Sequence, residues 1–204
     1  DVWWANWTIA GSVGNPSLPE PSCPSGTDEL EDGLCLLPPT VSSDLTLTAG
    51  VDYLMEGRVT VGNGNGQLET NGDGTLADGS SVRNVTLTIE PGVKVLGKTG
   101  TFANLVITRG SKLMAMGTQS APIVFSSDDE GLDGSGEWGG LIMHGYALHN
   151  ECSEGGSYCD IDSEGESGFA GGYDPNDSSG VLRYVVVAEG GYEFSTGNEI
   201  NGIS

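Results

Sequence analysis

The residues best suited to chemistry in this sequence are acidic and lie together in one glycine-rich stretch. Carboxylates crowd the segment SSDDEGLDGSGEW, which covers positions 126–138. Hard oxygen ligands on a flexible loop are what Ca²⁺ prefers in proteins. The sequence therefore predicts a calcium site with the ligands Asp128, Asp129, Glu130, Asp133 and Glu137. The alternative is a solvated acidic turn, in which Asp and Gly serve the backbone conformation rather than a metal.

A second polar stretch, GNGNGQLETNGDG, offers a weaker candidate of the same kind. Its oxygen-bearing side chains, with one from the residues that follow, are Asn63, Asn65, Asn71, Asp73 and Asp78. They do not follow the EF-hand spacing, and they do not repeat as a calcium-binding nonapeptide does. Asn-Gly and Asp-Gly pairs favour positive φ in turns, so a turn is the preferred interpretation of this stretch.

The four cysteines form two close pairs, each inside a loop rich in Gly, Ser, Pro and acidic residues. The pairs are Cys23 with Cys35 and Cys152 with Cys159. Local pairing predicts two disulfides, and disulfides persist in oxidising compartments. The alternative is a zinc site that combines the second pair with His144 and His149. The gap between those two cysteines is wider than in a zinc knuckle, so disulfides are favoured.

Enzymatic chemistry finds little support. A polysaccharide lyase needs a basic residue to take the proton beside its calcium, yet no Lys or Arg occurs between Lys112 and Arg183. The chain has 29 acidic against 7 basic residues and a formal charge of -22, so it repels nucleic acid, anionic membranes and acidic polysaccharides. No nucleophile elbow accompanies the two histidines. The chain is predicted not to be an enzyme, and a polysaccharide lyase or hydrolase is the alternative.

Several tyrosines lie near glycine turns, where an exposed ring can stack on a sugar. They are Tyr146, Tyr158, Tyr173, Tyr184 and Tyr192. Tyr184 lies inside an apolar run and is expected in the core instead. Nothing in the spacing requires a ligand platform, so carbohydrate binding is an alternative function.

These loops must be positioned by strands. The stretch from Val85 to Ser127 alternates apolar residues with Thr or Ser and is interrupted by glycine turns. Alternation with period two predicts strands, and its recurrence predicts a solenoid rather than a sandwich. Gly92 and Gly110 lie 18 residues apart, which is close to the shortest plausible turn of a three-sided coil. The stretch also holds four of the seven basic residues, interpreted as a positive surface that orients one chain against another: Lys94, Lys98, Arg109 and Lys112.

The two ends of the chain are expected to differ from the middle. Residues 1–40 are predicted to form an irregular N-terminal cap or docking segment with a disulfide loop, and residues 41–204 the coil. No run of about 20 apolar residues occurs, so no membrane insertion is expected.

Self-association is predicted to use both ends. The start of the chain is rich in tryptophan, and the last residues, NEINGIS, open a further strand with no polar cap. Open strand edges invite pairing, and contacts that do not close produce filaments. Either more chain follows this end or a neighbouring subunit covers it. The residues expected to associate are Trp3, Trp4, Trp7, Ile200 and Ile203.

Four phrases resemble a known family: Ala121-Pro-Ile-Val-Phe-Ser, Glu137-Trp-Gly-Gly-Leu, Leu182-Arg-Tyr-Val and Glu199-Ile-Asn-Gly-Ile. From about Leu45 to the end, the chain resembles secreted or surface-attached bacterial proteins of the wider pectate-lyase-like group. The resemblance implies a right-handed parallel β-helix, an extracellular or bacterial cell-surface location, and no generally assigned reaction. The expected function is therefore structural or adhesive, with calcium as a stabilising ion and with other copies, surface components or glycans as partners.

Overall fold

Short β-strands provide almost all of the regular structure. The computed structural model describes residues 21–31, 33–69, 74–129, 131–152, 159–172, 174–196 and 198–204. Within these ranges the only helical segment is a single 3-10 turn, Glu164–Glu166. None of the described helical structure is long or apolar enough to cross a membrane. The predicted all-β class is confirmed.

Eighteen strands occur in the described residues. In chain order they are β1 Asp28–Glu31, β2 Leu34–Leu36, β3 Thr40–Val41, β4 Leu45–Leu47, β5 Asp52–Met55, β6 Val59–Val61, β7 Thr86–Ile89, β8 Lys94–Gly97, β9 Asn104–Ile107, β10 Lys112–Met116, β11 Ile123–Ser127, β12 Gly140–Met143, β13 Ile161–Asp162, β14 Phe169–Ala170, β15 Gly180–Arg183, β16 Val185–Val187, β17 Glu193–Ser195 and β18 Asn198–Glu199.

Most of these strands belong to three sheets that the chain visits in a fixed order. Sheet 1 contains β2, β5, β8, β11 and β16, sheet 2 contains β3, β6, β9 and β12, and sheet 3 contains β4, β7, β10 and β15. Within each sheet, every strand pairs in parallel with the strand of the preceding visit. One visit to all three sheets is called a round below. The expected parallel pairing is confirmed.

Identical positions in successive rounds stack on one another and form the core. In sheet 3, Leu45 pairs with Leu87, and Leu87 pairs with Leu113. All three are buried, and full burial of such a side chain stabilises the fold by about 1.5–3 kcal/mol. The residues that alternate with these leucines along each strand, such as Thr46 and Thr88, point away from the core and are more accessible. The alternation seen in the sequence thus separates the inner from the outer face of each sheet.

Glycine turns mark the corners between sheets, but not in the predicted spacing. Gly50 and Gly92 both have positive φ and both follow a strand of sheet 3. Gly110, also at positive φ, follows a strand of sheet 2 instead. The interval between Gly92 and Gly110 is therefore shorter than a round, whose length is given by the pair Leu87–Leu113.

At the N-terminal end, the first round begins within the segment predicted as a cap. Strand β1 pairs antiparallel with β2, and β2 is already a parallel strand of sheet 1. Cys35 is fully buried in the core and forms the predicted disulfide with Cys23. The parallel pairing thus starts at Leu34, before the boundary predicted at position 41. Trp3, Trp4 and Trp7 lie outside the described residues.

At the C-terminal end, apolar side chains of the last round are exposed. Leu182 pairs with buried Ala115 and is 36% exposed, and Ile203 pairs with buried Leu141 and is 50% exposed. The prediction that Ile200 contributes to this open end is wrong, because Ile200 is fully buried. It packs on the outer face of sheet 2 with Val106 and Ile142, in a second small apolar cluster.

Tyr184 also departs from its predicted position. It is not in the core but 48% exposed, because it lies at the corner between β15 and β16 with φ 48°. The positive φ breaks the strand, so the run that looked continuous in sequence is two strands of different sheets.

The segment 159–172, called the strap below, crosses the outside of the molecule. It contains the antiparallel pair β13–β14, with the 3-10 turn between them. Cys159, at its start, forms the predicted disulfide with Cys152. The zinc alternative is excluded because both cysteines are oxidised.

Candidate functional site

The acidic residues that come together lie at the C-terminal ends of neighbouring strands of sheet 1. Strand β11 ends with Ser126 and Ser127, and strand β16 is followed by Ala188 and Glu189. The parallel register pairs Ile123 with Val185. Continuing that register along both strands brings Glu189 beside Ser127.

Three carboxylates converge on the hydroxyl of Ser127. Its Oγ lies 2.7 Å from Asp129 Oδ1, 2.7 Å from Glu137 Oε2 and 2.8 Å from Glu189 Oε2. A hydroxyl carries one proton, so it can donate to only one of these oxygens. The other two carboxylates face the same point without that donor. These four residues are called the acidic cluster below.

Glu189 is the buried member of the acidic cluster. It is 6% exposed and has φ 61°, a left-handed conformation that directs the chain into the turn after β16. Its carboxylate accepts hydrogen bonds from the Ser126 hydroxyl, from the Ser127 hydroxyl and amide, and from Gly134 N. These bonds, chiefly the one from Ser126, lower the pKa of Glu189 to about 2 against the opposing effect of burial. The group is therefore ionised at neutral pH.

Trp138 fixes the position of Glu137. Its side chain is fully buried, and its indole Nε1 donates to Ala188 O at 2.7 Å. Gly97 allows this packing, because a Cβ at that position would lie 2.7 Å from the Trp138 Cβ. The amide of Glu137 donates to Glu189 O at 2.9 Å, so the two acidic residues are joined through their backbones as well.

The structure brings together only part of the predicted calcium ligand set. Asp129 and Glu137 belong to the acidic cluster. Asp128 does not, because its carboxylate accepts hydrogen bonds from the amide and hydroxyl of Thr99, both at 2.7 Å. Asp133 is exposed and outside the cluster, and Glu130 lies outside the described residues.

Glu189 was missed, although the sequence contains a signal for it. The phrases IVFSS and VVVAE are two copies of one strand in successive rounds. Aligning their apolar positions places Glu189 opposite Ser127 without any structure. The prediction instead considered only carboxylates that are neighbours in sequence, as in a calcium loop of the EF-hand kind.

The three carboxylates of the acidic cluster lie close enough together for one cation to contact them all. One oxygen from each of the three carboxylates lies within 4.8 Å of the others. Because Ca²⁺ binds oxygen at about 2.4 Å, two ligand oxygens of one ion are at most about 4.8 Å apart. The residues present therefore fit the ion, with the Ser127 hydroxyl as a further oxygen.

The second candidate stretch forms hydrogen bonds of its own. Asn63 Nδ2 donates to Ser81 O, and Asn63 Oδ1 accepts from Arg83 N. Asp78 accepts from the amide and hydroxyl of Ser80, which lowers the pKa of Asp78. Asn65 donates to Ser167 O in the strap, and Asn71 and Asp73 lie outside the described residues. The described side chains thus serve turns and loop contacts.

A cleft of about 420 Å³ adjoins the acidic cluster on the outer face of sheet 1. Its lining residues are Lys94, Leu96, Val124, Ser126, Ser127, Asp129, Gly131 and Leu132. Lys94 was not considered beside the acidic loop, but the register places it next to Val124. Its ammonium group lies 3.7 Å from Asp52 Oδ2 in an exposed ion pair.

The two histidines do not form a catalytic group with their neighbours. His144 Nε2 lies 2.7 Å from Ser163 Oγ, a distance suited to a nucleophile and its base. The imidazole is buried, however, and within the described residues its Nδ1 has no hydrogen-bond partner. A third, orienting group is therefore missing there. His149 is exposed, and its Nδ1 accepts from Glu151 N.

The chain contributes strands to three parallel sheets in turn, and acidic loops follow the ends of strands. This arrangement is that of a parallel β protein of the β-helix class. The sequence agrees with this class at the level of family. Residues 67–204 match the model of the pectate-lyase-like β-helix domain, and the chain belongs to that family. The predicted resemblance is confirmed. Neither the curated proteins nor the solved structures include a match to the chain.

Proposed function

We propose that this chain is a non-enzymatic structural or adhesive module of the extracellular space or bacterial cell surface, folded as a right-handed β-helix. A parallel connection that leaves a sheet and returns to it is right-handed in about 98% of cases, and each round makes such a connection in every sheet. Two disulfides support the oxidising compartment.

The observation that supports the structural role is a pair of exposed apolar side chains, Leu182 and Ile203, which pair with the buried core residues Ala115 and Leu141 of the preceding round. The outermost strands β15 and β16 also have no further parallel neighbour among the described strands. Exposed apolar ends of this kind favour association with a second copy or with another surface component.

This proposal modifies the filament hypothesis. At the N-terminal end the corresponding inner side chains Leu45 and Leu47 are buried. The inner side chains of β4 are thus already covered, whereas Leu182 and Ile203 are exposed, and the proposed association uses this second pair. The tryptophans at the start of the chain remain the proposed contact on the other side.

Sedimentation velocity of the purified chain tests this role. The double variant Leu182→Asn/Ile203→Asn is expected to sediment as a monomer at concentrations where the wild type associates. The control Leu132→Asn removes an apolar side chain that is exposed in the loop between β11 and β12, and it is expected to associate normally. A monomeric wild type, or equal association of both variants, contradicts the proposal.

We propose in addition that the acidic cluster binds Ca²⁺ as a structural ion. The support is the convergence of three carboxylates on one hydroxyl. Bringing such groups together is unfavourable unless a cation compensates their charge. The ion would stabilise the junction of β11, β16 and the loop that follows β11 rather than promote a reaction.

The absence of catalysis is part of the proposal. A lyase needs an available base next to its cation, and the basic residue that lines the adjacent cleft, Lys94, is ion-paired with Asp52. The charge of -22 also disfavours acidic polysaccharides. Incubation with a panel of acidic and neutral polysaccharides, with Ca²⁺ present, is expected to give no product. Turnover that Glu137→Gln abolishes would establish an enzyme instead.

Carbohydrate binding is the second candidate, and the cleft on sheet 1 is the observation that favours it. Leu96 and Val124 provide an apolar floor, and Ser126, Asp129 and Lys94 provide polar groups around it. No aromatic residue lines this cleft. Tyr146 and Tyr192, two of the tyrosines considered for stacking on a sugar, therefore lie outside it. Calorimetric titration with oligosaccharides tests this candidate, and loss of binding in Val124→Lys is the expected signature.

A further inference from the structure

The strap is bound to sheet 2 by residues from three different rounds. Arg58 precedes β6 and donates to the carbonyls of Gly165 and Glu166. Arg109 follows β9 and is fully buried, with its guanidinium 2.6 Å from Asp160 Oδ1 and 3.1 Å from Gly171 O. The hypothesis that the basic residues of Val85–Ser127 orient one chain against another therefore does not extend to Arg109, which is buried.

His144, which follows β12, makes the third connection. Its Nε2 lies 2.7 Å from Ser163 Oγ and 3.3 Å from Ser167 Oγ. Ser163 Oγ also donates to Gly168 O at 2.7 Å, and Ser167 Oγ donates to Glu164 O at 2.8 Å. The imidazole thus joins the two sides of the strap just below its 3-10 turn.

This hydrogen-bond network suits a neutral imidazole. Because the Ser163 and Ser167 hydroxyls each donate their single proton to a carbonyl oxygen, Nε2 carries the ring proton and donates to Ser163, and Nδ1 is a bare nitrogen. A second proton would place a donor on each nitrogen. Nδ1 has no partner among the described residues, so the charged ring would be buried with one donor unsatisfied.

Two positive groups, Arg109 and Arg58, act on the ring from the side of sheet 2. The carboxylates of the strap and of the loop before β15 are Asp160, Asp162, Glu164, Glu166 and Asp177, and none of them accepts a hydrogen bond from the ring among the described residues. Asp160 is paired with Arg109, the Glu164 carboxylate accepts from Asn201 and Ser204, and Asp177 accepts from Tyr146 N. In the described part of the chain, the ring's hydrogen bonds go to hydroxyl groups alone.

We propose that His144 is a proton-operated latch, which holds the strap on sheet 2 while the imidazole is neutral and releases it when the imidazole is protonated. Burial, followed by the charges of Arg109 and Arg58, lowers the pKa of His144 to about 4, in agreement with the geometry. Release uncovers the outer apolar cluster, because Gly165 of the strap lies against Ile200. It also frees the contacts of Glu164 with Asn201 and Ser204.

The proposed release of the strap occurs at pH values below the ordinary pKa of histidine. In the released strap the imidazole is solvated and takes a proton at about pH 6.5. In the closed strap it takes one only near pH 4. Acidification through this interval therefore favours the released form, and neutral solution favours the closed form.

Amide hydrogen exchange measured by NMR tests the latch, with both disulfides intact. The reporters are the strap amides of Ser163, Phe169 and Gly171, which donate to Gly168 O, Asn65 O and Gly145 O. From about pH 7 to about pH 4.5, their protection factors, corrected for intrinsic exchange, are expected to fall on the order of 10- to 100-fold. The amide of Thr108, which donates to Val61 O between sheet strands, is expected to keep its protection.

His144→Gln is the decisive variant, because a glutamine amide can donate to Ser163 and does not titrate. Its strap is expected to stay protected at both pH values. The matched control His149→Gln removes the exposed histidine and is expected to behave as the wild type. An equal loss of protection in His144→Gln and wild type overturns the proposal.

A second measurement applies if His144→Gln does not fold. The chain has only two histidines, so both ring signals can be followed in one NMR titration. Ser163→Ala is expected to loosen the strap at neutral pH and to raise the measured pKa of His144 toward about 6.5. An unchanged His144 titration in a folded Ser163→Ala variant overturns the latch.

Discussion

The acidic cluster and the strap are both carboxylate-bearing loop structures on the outside of the sheets, but they differ in how charge is compensated. In the strap, the Asp160 carboxylate meets the buried guanidinium of Arg109 at 2.6 Å. In the acidic cluster, three carboxylates meet a single hydroxyl, and no salt bridge of the described residues involves them. The comparison teaches that charge is compensated within the chain in the strap, whereas the carboxylates of the acidic cluster meet only hydrogen-bond donors, which is the basis of the calcium proposal.

The largest loss of stability is expected from a substitution that breaks the ion pair of the strap, Arg109–Asp160. Arg109→Met removes the guanidinium that neutralises the buried Asp160 carboxylate and that donates to the carbonyls of Gly64 and Gly66. Removing one partner of a buried ion pair destabilises a protein by about 3–5 kcal/mol. Urea denaturation measures the loss in the free energy of unfolding. A loss no larger than that of Lys98→Met, which removes a partner of an exposed ion pair, would contradict this view of the strap.

The acidic cluster is expected to respond to an added ion instead. At a Ca²⁺ concentration of roughly 100 times the dissociation constant, binding to the native state stabilises it by about 2.7 kcal/mol. The melting temperature of the wild type should therefore rise with Ca²⁺ and fall with chelator, while Glu189→Gln should show neither change. Asp133→Asn, an exposed acid of the same loop, is the matched control and should respond as the wild type. No response of the wild type to millimolar Ca²⁺ removes the calcium proposal.

Acid should act on the two regions in different pH intervals. The folded protein binds a proton at His144 near pH 4, whereas the unfolded chain binds it near pH 6.5. Stability is thus fully present above about pH 6.5 and falls by about 2–3 kcal/mol as the pH drops to about 4. For Glu189 the pKa is lowered from 4.5 to about 2, so its contribution is lost only below about pH 4.5.

Two variants separate these intervals in denaturation curves measured across pH. His144→Gln should remove the upper part of the pH dependence, and Glu189→Gln should reduce the lower part. A wild-type stability that is constant between about pH 6.5 and pH 4 would contradict the assignment of His144.

The smallest effects are expected at the exposed ion pairs, which provide the reference for both regions. Lys94 lies 3.7 Å from Asp52, and Lys98 lies 3.6 Å from Glu56, with each side chain more than a third exposed. Such pairs contribute about 0–1 kcal/mol and are screened by salt. Lys98→Ala should lower the free energy of unfolding by less than about 1 kcal/mol, and this difference should shrink further in high salt. A larger, salt-independent loss would show that exposure does not distinguish these pairs from Arg109–Asp160.

The sequence predicts the strands well because their two faces differ physically. Leu87 and Ile89 alternate with Thr86 and Thr88, and only the apolar pair enters the core. The cysteine pairs were also predictable, because each is close in sequence and needs no assumption about the fold.

The acidic cluster and the strap were less accessible to sequence reasoning because they depend on register between rounds. Glu189 reaches Ser127 only through the pairing of β11 with β16. Arg109 stands between a strand and a glycine turn, where a basic residue usually faces solvent. Its burial follows from the loops that close over it, and the sequence does not mark those loops as its partners.

The contacts of Arg58 have a consequence for the order of folding. Its partner Gly165 lies 107 residues further along the chain, whereas its other partner, Asn104, lies 46 residues away. Closing the larger loop costs more chain entropy, and the cost is recovered only when the intervening strands are already paired. We therefore expect the strap to pack onto sheet 2 as the last step of folding, after the strands of successive rounds have paired.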